Sequence, residues 1–219
     1  MNQYKIIVSI LFLWSVSMFT NPIKAQEVMA IEKGLSVQEK NIISIAALTA
    51  KGDLVNLKMA LNNGLEVGLT VNEIKEILVH TYAYCGFPRS IRGLQTFMEV
   101  VNERKAKGIT DKMGREASII KADDNKYERG KKVLEELTKT PAPEKLVGYA
   151  AFAPIIDAFL KEHLFSDIFE RDILTYAQRE LVTLSVISAI GDAEPMLKGH
   201  LAIALNVCFS PKQLKEIIV

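Results

Sequence analysis

Four side chains stand where their neighbours give them chemical possibilities: His200, Glu180, His80 and Cys85. His200 has Met196, Leu197, Ile203 and Ala204 three and four residues away, so its imidazole sits on a largely apolar helical face. Burial lowers the pKa of such a ring and a nearby carboxylate raises it, which poises it near neutrality as a general acid or base. The alternative is a buried histidine satisfied by a carbonyl. Glu180 is the natural partner, because it precedes a strongly apolar helix in which an isolated charge is costly. Meeting His200 across two helices, it would orient the ring and stabilise its protonated form. Alternatively, Arg179 and Glu180 cap and solvate a first helical turn, where the dipole favours an acid.

His80, Tyr84 and Phe87 follow one another at spacings of four and three, but Gly86 and Pro88 interrupt the pattern, so a helix ends here and turns into the next. The turn gathers an imidazole, a phenol and a thiol. His80 could deprotonate Cys85 to a reactive thiolate, with Cys208 as a distant resolving partner. The other reading is an aromatic packing cluster with a small buried cysteine. Arg89 and Arg92, just after Pro88, are candidates for bidentate binding of a substrate carboxylate or simply solvated surface groups. His163 lies among charges and is expected to be exposed.

The elements that must position these groups repeat along the chain. Residues 35–53 set over 174–192 make Leu35, Ala50, Gly52 and Asp53 identical to Leu174, Ala189, Gly191 and Asp192. A second block, 69–79 over 209–219, pairs Lys75, Glu76, Ile77 and Val79 with Lys215, Glu216, Ile217 and Val219, at a register differing by one. A gap therefore lies in the intervening helices, and depending on where it falls the position matching His200 is Ala60 or Asn56. Capping boxes recur as Ser36 with Glu39, Thr70 with Glu73, Thr175 with Gln178 and Ser210 with Gln213, and Asp53 and Asp192 are placed to cap the middle helices. Each repeat reads as three helices. The first helix of each is apolar on nearly all sides and belongs inside a bundle or at a subunit contact. A long helix follows from 87 to 108, residues 109–127 read as a polar linker, and helical patterns return at 131–137 and 149–164.

Composition narrows the classes. In 219 residues, 27 Lys and Arg against 26 Asp and Glu leave no basic surplus for nucleic acid, and 2 Cys exclude a disulfide scaffold and offer no metal-site spacing. No phosphate-cradling loop or dinucleotide fingerprint is present, so no cofactor or metal is expected. Residues 1–25 read as a signal peptide: Lys5, then an uncharged apolar run over 6–19, shorter than the ~20 residues a membrane span needs, then a polar exit ending at Ala25. The mature protein is expected to be exported, periplasmic or extracellular, and free of the membrane. The layout is a leader at 1–25, a first repeat at 26–108, a linker and connecting helix at 109–143, and a second repeat at 144–219 that ends short of the first.

The run Val79-His80-Thr81-Tyr82-Ala83-Tyr84-Cys85-Gly86-Phe87-Pro88, with Gln178-Arg179-Glu180-Leu181, Gly199-His200-Leu201 and Ala204-Leu205-Asn206-Val207, resembles the carboxymuconolactone decarboxylase family. The resemblance implies an all-α, AhpD-like helical bundle built from two related multi-helix repeats. It also implies assembly as a homo-oligomer, trimeric or hexameric, and a small-molecule substrate. The family holds cofactor-free decarboxylases of a lactone acid and thiol peroxidases. The resemblance thus points to a carboxy-lyase, with His200 as proton donor, Glu180 as its orienter and His80 lining the pocket. A peroxiredoxin-type thiol antioxidant using Cys85 and a non-catalytic small-molecule binder are the alternatives. The peroxidase branch carries a Cys-x-x-Cys pair between its Glu and its His, and the interval from Glu180 to His200 contains no Cys. The second repeat also ends before the positions matching His80 and its turn, an edge that a neighbouring subunit could complete.

Overall fold

Helices begin where a hydroxyl is followed three residues later by Glu or Gln. In the computed structural model, which describes residues 34–120 and 125–218, Ser36 caps α1 (Val37–Lys51): its Oγ accepts from the Glu39 N–H at 3.2 Å, and the Glu39 carboxylate accepts from the Ser36 N–H at 2.7 Å. Thr70 opens α3 (Val71–Ala106) and Thr175 opens α7 (Tyr176–Ile190) in the same way, and Ser210 and Gln213 exchange the equivalent bonds at α9 (Pro211–Ile218). Asp53 caps α2 (Leu54–Glu66) through the Asn56 N–H. The expected leader, residues 1–25, lies outside the described residues, among which no helix is long and apolar enough to cross a membrane.

One cap departs from expectation. Asp192 does not cap α8 (Glu194–Asn206); it adopts φ 51°, and the helix starts two residues later behind Ala193 with no side-chain cap. Pro195 explains the shift, because its missing N–H and fixed φ suit only the first helical turn and so set where the helix begins. In the first half of the chain Gly52 takes the left-handed turn itself, at φ 72° and ψ 26°, leaving Asp53 free to cap.

Helix α3 breaks where the sequence places its turn. Gly86, at φ 79° and ψ 162°, separates 71–85 from 87–106, a conformation that a side chain would strain. The linker after it has no regular structure over 109–120 but is tied down: Val71 and Asn72 N–H groups donate to the carbonyls of Lys112 and Met113 at 3.0 and 2.9 Å, and buried Arg104 binds Asp111 and Glu66. Helix α4 (Lys126–Thr138) follows, then the short α5 (Gly148–Phe152) and α6 (Pro154–Phe159), which run into a π-helix over Leu160–Ile168.

Among the described residues all regular structure is helical. α1 and α7 lie against each other at the centre, and α7 is buried continuously from Arg179 to Ile187, as its all-round apolar character requires. Ile42, Ile45, Leu181 and Leu184 belong to one core with Ile74, Ile77 and Leu78 of α3. A second, smaller core joins α4, the π-helix and α8 through Val133, Leu137, Phe165, Phe169 and Ile203. There α4 and the π-helix meet backbone to backbone: a Cβ on Gly130 would overlap the Lys161 carbonyl.

Candidate functional site

Glu76, His80 and Tyr84 recur every four residues and so share one stripe of α3, facing α7, where Arg179 and Thr183 have the same spacing. The two stripes interlock. Arg179 Nη2 binds Glu76 Oε1 at 2.8 Å, its Nη1 lies 3.1 Å from His80 Nδ1, and His80 Nε2 is 2.9 Å from Thr183 Oγ1. Arg171 adds a second guanidinium on Glu76, with Nη2 2.9 Å from Oε2. A guanidinium only donates, so His80 Nδ1 accepts and its proton sits on Nε2, donated to Thr183. Burial first, then the charges of Arg179 and His200, hold the His80 pKa well below the ordinary range. This ring is locked neutral. Burial likewise pulls the Arg179 pKa down, against the opposing hold of Glu76.

Glu180, the next residue on α7, turns to the other side and meets α8. Its Oε2 lies 2.9 Å from His200 Nδ1; the carboxylate is fully buried and the imidazole keeps 14% of its side-chain surface. A carboxylate only accepts, so Nδ1 carries the proton and Nε2 is left for chemistry. Tyr84 stands between the two histidines, its ring 5.5 Å from His80 and 5.7 Å, edge-on, from His200. The Tyr84 hydroxyl and Glu180 Oε1 are both buried without a hydrogen-bond partner. Burial, then the Glu180 charge, pushes the phenol pKa far up, so Tyr84 stays protonated. His200 and Tyr84 line a cleft of about 840 Å³ whose other walls come from α4, the short α5 and α6, the π-helix, the end of α7 and α8.

Glu180 and His200 therefore come together, and the solvated first-turn reading of Arg179 and Glu180 gives way to burial of both. His80 lies behind Tyr84, within the bundle. It does not serve Cys85, since both of its ring nitrogens are engaged by α7, and a residue five positions on points about 140° away around the helix. The Cys85 thiol donates to the Thr81 carbonyl at 3.0 Å, and burial raises its pKa. Both cysteines are free thiols, Cys85 half-buried and Cys208 exposed. Arg89 is exposed over the Gly52 turn, Arg92 is exposed and donates to Gln95 Oε1 at 2.6 Å, and neither lines the cleft. His163 is half-exposed beside Asp167, as expected.

The members that sequence reading passed over are Glu76, Arg179 and Thr183. Their signal was available: Glu76 is followed directly by the apolar Ile77, Leu78 and Val79 and lies one turn before His80, and Arg179 heads the most apolar run of the chain. Among the described residues no group of three or more His, Cys, Asp or Glu is placed to hold a metal ion.

An all-α bundle with a buried Glu–His pair opening onto an apolar cleft defines a class of helical proteins equipped for acid–base chemistry or small-molecule binding. Within that class, residues 23–97 match the model of the carboxymuconolactone decarboxylase family. No curated protein matches the chain.

Proposed function

We propose that the protein is a cofactor-free acid–base enzyme of the carboxymuconolactone decarboxylase type, acting on a small carboxylated or lactone substrate. The contact of Glu180 Oε2 with His200 Nδ1 at 2.9 Å, at the edge of an apolar cleft, carries this reading. When the bond to the departing carboxylate breaks, its electron pair stays on the substrate as an enolate and CO2 leaves. The imidazolium form of His200 gives its Nε2 proton to the enolate carbon, while Glu180 holds the ring and balances its charge. A proton from water restores the starting state. The apolar walls exclude water and strengthen these interactions.

The test is CO2 release and deuterium uptake from D2O over a panel of γ-lactone acids. Wild type is expected to turn over at least one of them, and His200→Gln to lose about 10²- to 10⁴-fold in kcat. Equal turnover by the two would overturn the assignment. Binding without turnover in the wild type would favour the non-catalytic reading, which the apolar cleft also supports. The thiol-peroxidase reading has less behind it, because Cys85 lacks an activating base and its pKa is raised, not lowered.

This reading includes export through cleavage after Ala25, checked by N-terminal sequencing of the secreted protein, and assembly as a trimer or hexamer, checked by light scattering.

A further inference from the structure

The cleft's shape and charge constrain its ligand more tightly than the reaction class does. Its volume of about 840 Å³ is that of a pocket for a drug-sized molecule. Leu134, Leu164, Phe165, Ile187, Met196 and Ile203 supply much of its wall. Besides His200, the charged residues lining it are Asp157 and Lys161, and these neutralise each other. The Lys161 ammonium is buried, with Nζ 2.6 Å from both Asp157 oxygens and 3.0 Å from the Tyr127 hydroxyl, so its three N–H groups are all engaged. A second substrate carboxylate would find no unpaired cation there and would be desolvated without compensation. An apolar chain would lose nothing.

We infer that the cleft takes an amphiphile with one carboxylate or carbonyl head at His200 and an extended apolar body, and that it rejects dicarboxylic molecules of the same length. The placing of the head rests on the acid–base reading above; the apolar body rests on the cleft alone.

Calorimetric titration with hexanoate, octanoate and the eight-carbon dicarboxylate suberate tests this. The wild type is expected to gain about fourfold in affinity per added methylene, so roughly fifteenfold from hexanoate to octanoate, and to bind suberate at least tenfold more weakly than octanoate. Asp157→Asn, which leaves the Lys161 charge uncompensated, is expected to narrow that gap. Met196→Asp, on the exposed rim, is expected to flatten the dependence on chain length. Suberate binding as tightly as octanoate, or affinity independent of chain length, overturns the inference. Octanoate affinity unchanged in His200→Gln, with the fold intact by circular dichroism, overturns the placing of the head and counts against the acid–base reading, while chain-length dependence would still stand for the apolar body.

Discussion

Glu76, in the second turn of α3, reaches across to Arg179 at the head of α7; Glu216 on α9 reaches back to Lys40 at the head of α1. These are matching positions in the two registers of the sequence, and they make the same kind of contact in opposite directions. Their surroundings differ. Glu76 and Arg179 are 2% and 0% exposed, whereas Lys40 and Glu216 are 58% and 28% exposed, at 3.2 Å. The chemistry follows the burial. Asn41 stands where Glu180 stands, and because α2 and α8 are both 13 residues long, counting from their first residues sets Ala60 against His200. One helical triplet has an acid, an imidazole and a cleft; the other keeps the helices and their caps. A buried cation is tolerated only where several partners converge on it, and that convergence also fixes His80 behind Tyr84 and the cleft.

The sharpest way to break this contrast is to remove the acid on each side. Glu76→Ala is expected to cost about 3–5 kcal/mol, because it leaves the Arg179 charge buried and unpaired, and Glu216→Ala at most about 1 kcal/mol, as for an exposed pair. Urea denaturation of the two variants measures both. Similar losses would mean that burial does not separate the two contacts.

Acid should separate the two sides next. Above about pH 6.5 the His80 ring is neutral in folded and unfolded chains alike; below it the unfolded chain takes up a proton that the buried ring refuses. Stability then falls as pH drops toward the depressed folded pKa, by up to about 1.4 kcal/mol per pH unit from this group. Melting curves between pH 7 and 5 should show that slope, and His80→Gln should lose it. Tyr84→Phe removes a buried hydroxyl that lacks a partner, so its stability is expected to equal or exceed that of wild type by up to about 1 kcal/mol. The smallest effect concerns rates alone. Alkylation followed by mass spectrometry should mark exposed Cys208 before half-buried Cys85, whose raised pKa keeps it a thiol.

What could be read in the sequence was mostly local. A capping box involves four consecutive residues, so Ser36, Thr70, Thr175 and Ser210 announce their helices without help from the rest of the fold. Gly86 before Pro88 likewise declares its own turn. The Glu180–His200 pair is a long-range contact, yet the cost of burying a lone carboxylate, together with the family resemblance, pointed to it. The Glu76–Arg179 pair was not read because its two halves lie on helices whose mutual register no local signal sets. Asp192 misled because the matching Gly-Asp turn of the first triplet carried no proline, and Pro195 moved the helix start. Cys85 is close to His80 in sequence but not in contact with it, because the helix turns the thiol away from the ring.

The contact at Gly130 gives the cleft a gauge that is separate from its lining. Leu134 and Thr138 stand one and two turns further along α4, Leu164 stands on the π-helix, and a single hydrogen atom at Gly130 lets the two helices close up. A methyl group there would wedge them apart and widen the space between their side chains without altering any residue that faces the ligand. Ligand size is thus adjustable from behind the wall, and variation at position 130 offers descendants of this chain a route to larger molecules that leaves His200 and Glu180 untouched.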